Sequence, residues 1–195
     1  EICEDVWAPT PPSNHLALAG AEIIFNLSAS DELTGKHNYL MSLLQQQSAR
    51  TITGYVYASA GFGESTQDVV YGGNAIICEN GSVIAKGQRF AMSEQLVTAQ
   101  IDIEKLRGDR RSNTTFTNAQ RRMATEKINI IDMHSACQRD FVLEREIDPT
   151  PFIPKSGEMK EKCDEILNIQ AMGLVKRLTH TSCKRVVVGI SGGLD

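Results

Sequence analysis

Apolar and polar positions along the chain alternate between short compact runs and longer helical stripes. Residues 1–3 read as the end of a strand. Pro9, Pro11 and Pro12 interrupt regular structure, and Ser13 is placed to cap a short helix through Leu16, Leu18 and Ala19. Residues 21–28 form a compact apolar run that predicts a buried strand. Between residues 33 and 49, Tyr39, Leu40, Leu43 and Leu44 share one helical stripe, and residues 51–59 return to strand character through Ile52, Tyr55 and Val56. A glycine-rich segment, Gly61-Phe62-Gly63, follows. Residues 74–79 and 82–85 flank Asn80-Gly81, the strongest hairpin signal in the chain, because both turn residues tolerate the positive φ of a type I′ turn. Residues 96–103 alternate as a further strand. Residues 107–125 are polar, carry Arg107, Arg110, Arg111, Arg121 and Arg122, and read as a solvated excursion.

Residues 148–154 hold three of the six prolines and predict an extended linker. Beyond it, Cys163, Ile166, Leu167, Gln170, Leu174, Val175 and Leu178 recur at helical spacing. A β-branched strand, 185–190, then runs into Ser191-Gly192-Gly193-Leu194-Asp195. Strand, helix, strand, helix, a strand-rich stretch, a linker and a fresh helix and strand predict two α/β units, the second barely begun. The expected division is 1–135, a linker over 136–158, and 159–195.

Composition narrows the function classes. The chain has 195 residues, 41% hydrophobic and 23% charged, enough apolar material for a core. A formal net charge of −4 excludes a basic nucleic-acid footprint. Mean hydropathy is −0.23, and no apolar run approaches the roughly 18 residues of a membrane span. Five cysteines, far apart and odd in number, form neither a disulfide framework nor paired metal-ligand spacing, so a reducing cytoplasm is the expected compartment. The chain begins at Glu1 without an initiator Met, and an internal fragment of a longer protein is expected.

Two places carry chemistry. Cys3 sits where a strand end presents a side chain at a sheet rim, flanked by Glu4 and Asp5, before Trp7-Ala8-Pro9 turns the chain. A lone cysteine is ordinarily a small buried hydrophobe. Charged neighbours oppose that reading, since charge is costly to bury. A nucleophilic Cys3 needs a cation or base from elsewhere in the fold, because its neighbours are acidic and no Lys or Arg precedes Lys36. At the other end, Gly189, Ile190, Ser191, Gly192, Gly193, Leu194 and Asp195 form a strand-to-loop segment. Its glycines admit close approach of an anion, Ser191 offers a hydroxyl, and Asp195 is placed to ligate magnesium. The Gly-Lys-Ser/Thr ending of a Walker A loop is missing.

Glu1-Ile2-Cys3-Glu4-Asp5-Val6-Trp7-Ala8-Pro9 resembles the nucleophile segment of the nitrilase superfamily, which hydrolyses amides with a Glu-Lys-Cys triad. In that family both the Glu and the Lys precede the Cys segment. Asn26-Leu27-Ser28-Ala29-Ser30 resembles its glutaminase members, in which Ser30 and Lys36 would contact substrate glutamine; Ser30 as a simple helix N-cap is the alternative. Residues 55–68 and Tyr71-Gly72-Gly73-Asn74 also resemble the family and are assigned no catalytic step. The C-terminal segment resembles the SGGxD[ST] pyrophosphatase loop of ATP-dependent ligases.

Together the two resemble the family of glutamine-dependent NAD synthetases. That resemblance implies a fold: the C-terminal part of an α-β-β-α sandwich over 1–135, then the first helix and strand of a Rossmann-like ATP-binding domain. It implies glutamine, ATP with Mg²⁺ and nicotinic acid adenine dinucleotide as ligands, no prosthetic group, and a homo-oligomer. The alternatives are a free-standing nitrilase-superfamily amidase, which explains Cys3 alone, and a non-catalytic α/β module.

Overall fold

A computed structural model of the chain describes residues 1–64, 68–123, 128–134, 141–154 and 157–193. The chain divides into two compact units, Glu1–Arg145 and Glu146–Asp195.

The first unit is built on a four-stranded sheet of order β1 (Ile23–Ser28), β2 (Gly54–Ser59), β3 (Ala75–Glu79) and β4 (Ser82–Lys86). β1 and β2 are parallel, with Asn26 opposite Tyr57 and Ser28 opposite Ser59. A parallel pair needs a crossover, here α2 (Lys36–Thr51). The β2–β3 and β3–β4 pairs are antiparallel. The hairpin turn is Asn80 at φ 43° and Gly81 at φ 90°, the left-handed pair that the Asn-Gly signal predicts.

α1 (Pro12–Leu18) and α2 cover one face of the sheet. Val6, Ile24, Leu40, Leu44, Tyr55, Tyr57, Ile76 and Cys78 form the core there. β1 is a one-faced strand rather than a buried one: Ile24 and Asn26 point inward, while Phe25 and Leu27 are 60% and 66% exposed. In the same way Leu40 and Leu44 of the predicted helical stripe are buried, whereas Tyr39 is exposed. Ser13 does not cap α1. The helix starts one residue earlier with Pro12 in its first turn, and Ser13 is buried against Gln47, whose Nε2 donates to Ser13 Oγ at 2.8 Å.

Two other expectations are corrected. The alternation over 96–103 does not make a strand: residues 96–102 are irregular and Ile103 opens α3 (Ile103–Ser112). The alternating apolar side chains are seated on glycines instead. Val97 Cγ2 lies 3.1 Å from where a Cβ on Gly87 would stand, and Ile101 Cδ1 lies 2.7 Å from that of Gly54. The stretch read as a solvated excursion forms α3 and α4 (Thr114–Met123), which close a second cluster of Ile52, Leu106 and Phe116. Arg110, 7% exposed, holds it. Its guanidinium donates to the carbonyls of Ala21 at 2.7 Å, Ile52 at 3.0 Å and Thr51 at 3.2 Å, and lies 5.0 Å from the Phe116 ring. Two of these carbonyls lie at the C-terminal end of α2, where the helix dipole favours a cation.

The second unit carries α5 (Met159–His180), which fits the predicted spacing but buries none of its residues within this unit. The strand expected over 185–190 is not formed, and Val187 is 98% exposed. A strand needs a neighbour for its N–H and C=O groups, and the described residues of this unit supply none. Among the described residues no helix is long and apolar enough to cross a membrane.

Candidate active site

Residues 1 and 2 run beside β1: the Glu1 nitrogen donates to the Phe25 carbonyl at 3.0 Å, and Ile2 bridges Leu27 in parallel register. Cys3 is therefore the first residue off a strand-like edge, as the sequence predicts. It opens a 3₁₀ turn, Cys3–Trp7. Its φ of 47° is left-handed, which an ordinary side chain adopts at a cost of order 1 kcal/mol.

Neighbouring groups hold that conformation. The Ile2 N–H donates to Asp5 Oδ2 at 2.7 Å and the Asp5 N–H returns to the Ile2 carbonyl at 3.1 Å, so the acidic neighbour fastens the turn. Asn26, wholly buried, clamps Cys3 from the sheet. The Cys3 N–H donates to its Oδ1 at 3.0 Å, and its Nδ2 donates to the Cys3 carbonyl at 3.4 Å and to the Tyr55 hydroxyl at 3.2 Å. Tyr55 in turn donates to the Glu1 carboxylate. Burial, with that carboxylate second, pushes the Tyr55 hydroxyl above the ordinary tyrosine range, so it stays a neutral donor.

The half-buried Cys3 sulfur accepts a hydrogen bond from Ser28 Oγ at 3.3 Å, and Ser28 Oγ accepts one from the Tyr57 hydroxyl at 2.8 Å. Ser28 and Tyr57 lie within segments that resemble the family, but the sequence assigns neither a role. Asn26 carries a signal that could have found it: a polar residue in phase with Ile24 on the buried side of an apolar run.

Ser30 follows two residues after Ser28, and its N–H donates to Ser59 Oγ at 3.4 Å. It does not cap the next helix, because α2 starts at Lys36 behind Gly35, whose φ is 84°. Lys36 Nζ lies 5.6 Å from the centroid of the Trp7 ring, itself stacked on Tyr39 at 5.4 Å. Cys3, Ser30 and Lys36 are thereby tied to one rim: Cys3 and Lys36 through the turn that ends in Trp7, Cys3 and Ser30 through the end of β1. The Lys36 ammonium is held by the Asp31 carbonyl at 2.8 Å and Oδ1 at 2.7 Å rather than by the sulfur. Hydrogen-bonded to Lys36, the Asp31 carboxyl stays below the usual carboxylate range.

A second layer fixes this loop. Glu32 accepts from Arg89 Nη2 at 2.6 Å and from Asn74 Nδ2 at 2.7 Å, and Asn74 Oδ1 lies 3.0 Å from His37 Nδ1. A Cβ on Gly72 would fall 1.9 Å from Glu32 Oε1, so only a residue without one leaves the Glu32 side chain in this clasp. A cavity of about 490 Å³ opens beside this clasp, between the start of α2 and Arg89–Phe90.

In the second unit, Gly189, Ile190, Ser191, Gly192 and Gly193 lie on exposed backbone, with Gly192 at φ 95°. Leu194 and Asp195 lie outside the described residues. Among the described residues there is no group of three His, Cys, Asp or Glu side chains able to hold a metal ion.

The carbon-nitrogen hydrolase family model matches residues 1–111. The glutamine-dependent NAD(+) synthetase of Mycobacterium tuberculosis (strain H37Rv) is 40% identical over 199 residues, covering 100% of this chain and 29% of the relative. The human protein of the same name is 30% identical over 143 residues, 73% of this chain and 20% of its own length. A solved carbon-nitrogen hydrolase of Helicobacter pylori G27 is similar at 21% identity and a TM-score of 0.49, over 60% of this chain and 43% of that one. The chain thus spans under a third of the length of the mycobacterial relative it matches. Cys3 with its turn, Asn26, Ser28 and Ser30 all fall inside the matched span, and the chain belongs to the carbon-nitrogen hydrolase family.

Proposed function

We propose that this chain is the nucleophile-bearing part of a glutamine-dependent NAD synthetase, joined to the start of its ATP-binding domain. The observation that carries the reading is Cys3: a thiol off a sheet edge, held in a left-handed turn, with a hydroxyl donor on its sulfur. The likeness to named synthetases runs across both units of the chain, which supports a two-domain reading over a free-standing amidase.

Cys3 attacks the glutamine carboxamide carbon. The carbon–nitrogen bond breaks and the nitrogen leaves as ammonia, taking the proton that the Cys3 thiol gave up, carried between them by the family's Glu. Water then cleaves the γ-glutamyl thioester to glutamate and returns the thiol. The Ser30 hydroxyl and the Lys36 ammonium orient the amino-acid head group, Lys36 pairing with its carboxylate. In the second unit, residues 189–195 would hold the phosphates of MgATP; ATP adenylylates nicotinic acid adenine dinucleotide with pyrophosphate as the leaving group, and ammonia then displaces AMP to give NAD. Asp195 would hold the magnesium of MgATP through its carboxylate, and the ion would neutralise charge on the phosphates. A cytoplasmic location and a homo-oligomer go with this reading.

The test compares two ammonia sources in the longest natural polypeptide that contains this chain. Cys3→Ala abolishes glutamine-driven NAD formation and leaves ammonia-driven formation intact. Loss of both, or of neither, overturns the assignment. Asp195→Ala removes NAD formation from either source and spares part of the glutaminase activity.

A further inference from the structure

We propose that Ser28 and Tyr57 form a hydroxyl relay that sets the Cys3 sulfur for reaction, with Ser28 acting on the sulfur and Tyr57 as the positioning residue behind it. The proposal rests on Cys3 being the nucleophile. Its geometry is a product of strand register. β1 and β2 are parallel neighbours with Asn26 opposite Tyr57, so the Tyr57 ring enters the core beside Asn26, and its hydroxyl reaches Ser28 Oγ at 2.8 Å. Ser28 Oγ stands 3.3 Å from Cys3 Sγ.

A hydroxyl carries one donor and two acceptor sites and rotates to suit its surroundings. Alone at a strand end, Ser28 could turn its proton to a carbonyl or to water. Tyr57 removes that freedom. Its ring is 1% exposed and locked in the core, and its hydroxyl donates to Ser28 Oγ, which orients that hydroxyl with its proton on the sulfur. The backbone beneath is fixed as well: the Ala60 N–H donates to the Ser28 carbonyl at 2.9 Å.

No proton crosses the relay. A hydrogen bond donated to sulfur strengthens as negative charge gathers there, so the relay acts twice. It favours the thiolate that attacks the carboxamide, and it stabilises the same thiolate as leaving group when water cleaves the thioester. Between these steps the thioester sulfur is a poor acceptor, so the relay adds little to the intermediate and does not trap it.

The test is alkylation of the longest natural polypeptide that contains this chain by iodoacetamide at neutral pH, followed by peptide mass spectrometry. The Cys3 thiolate attacks the methylene carbon, an S–C bond forms, the C–I bond breaks and iodide leaves. Exposed Cys183 is the internal reference. Ser28→Ala slows Cys3 labelling about fivefold relative to Cys183, in keeping with the loss of one hydrogen bond. Ser28→Thr restores the hydroxyl and comes within about twofold of the wild-type rate. Tyr57→Phe keeps the ring in the core and slows labelling about threefold, with an unchanged thermal melt separating this from misfolding. Ser28→Ala labelling at the wild-type rate, Ser28→Thr as slow as Ser28→Ala, or Tyr57→Phe without effect would each overturn the relay. Glutamine turnover does not enter this readout. The relay therefore fails or stands separately from the glutaminase reading, which the two ammonia sources test.

Discussion

Asn26→Leu removes the amide that clamps the Cys3 turn while keeping its branched shape. Three hydrogen bonds are lost: from the Cys3 N–H at 3.0 Å, to the Cys3 carbonyl at 3.4 Å, and to the Tyr55 hydroxyl at 3.2 Å. Tyr55 keeps its Glu1 partner, so that loss is the smallest of the three. The Cys3 N–H is the costly one. It is left facing apolar surroundings, at about 1–3 kcal/mol for an unsatisfied group, and the carbonyl bond adds up to about 1 kcal/mol. A destabilisation of about 3 kcal/mol follows. Urea unfolding of the chain, followed by tyrosine and tryptophan fluorescence, reads it. With a slope of about 2 kcal/mol/M the midpoint falls by roughly 1.5 M. The left-handed Cys3 backbone loses its sheet-side support at the same time, so glutamine turnover in the longer polypeptide falls at least tenfold. A midpoint shift below about 0.3 M would refute the clamp, because an ordinary exposed polar side chain costs that little.

Other consequences follow from named contacts. Arg110→Met keeps the stem and strips three carbonyls of their donor, so it costs about 2–4 kcal/mol in the same unfolding assay, and Arg110→Lys recovers part of it; a loss under about 0.5 kcal/mol would mark the residue as solvated. Gly72→Ala forces Glu32 out of its clasp with Arg89 and Asn74, costs about 1–3 kcal/mol, and raises the KM for glutamine more than it lowers kcat. Glu79, 3% exposed, is disfavoured as a carboxylate by burial. Arg145 at 2.6 and 2.7 Å, the Asp102 N–H and the charge of Lys105 outweigh that and hold its carboxyl below the usual range. Its ionised form is the one favoured by folding, so its stabilising contribution is complete above pH 4.5 and is lost as pH falls below. Glu79→Gln flattens the acid limb of the stability–pH curve, and an unchanged limb would refute the pairing.

Elements that rest on local chemistry were legible in the sequence. Asn80-Gly81 specifies its turn by backbone sterics alone, and the stripe through Leu40 and Leu44 specifies the inner face of α2 by period. What the pattern could not show depends on partners distant in the chain. Alternation through Val97 and Ile101 looks like a strand, but the segment joins no ladder; Val97 and Ile101 are partly buried against Gly87 and Gly54, and Ala99 between them is exposed. Arginine-rich sequence reads as solvent-facing, yet Arg110 finds three carbonyls some 60 to 90 residues away, close to the end of α2. The run at 185–190 has β propensity, but propensity makes no strand without an adjacent one.

The site divides the same way. Cys3, Ser30 and Lys36 were marked by residue type and motif, and the turn, the end of β1 and the start of α2 tie them to one rim. Asn26 and Ser28 lie in a motif and Tyr57 in a resembling segment, but their roles, and Glu32 altogether, went unassigned because each acts through a partner 23 or more residues away. Their types are common in strands and loops, and pairing them needs the parallel register of β1 and β2.

If Cys3 is the nucleophile, it carries the γ-glutamyl group during turnover. Mixing the longest natural polypeptide containing this chain with glutamine, quenching in acid within one turnover and mapping the adduct by peptide mass spectrometry tests it most directly. A γ-glutamyl thioester forms on the peptide bearing Cys3, is absent after Cys3→Ala and is dispersed by hydroxylamine. An adduct on another residue, or glutamine hydrolysis undiminished in Cys3→Ala, would contradict it.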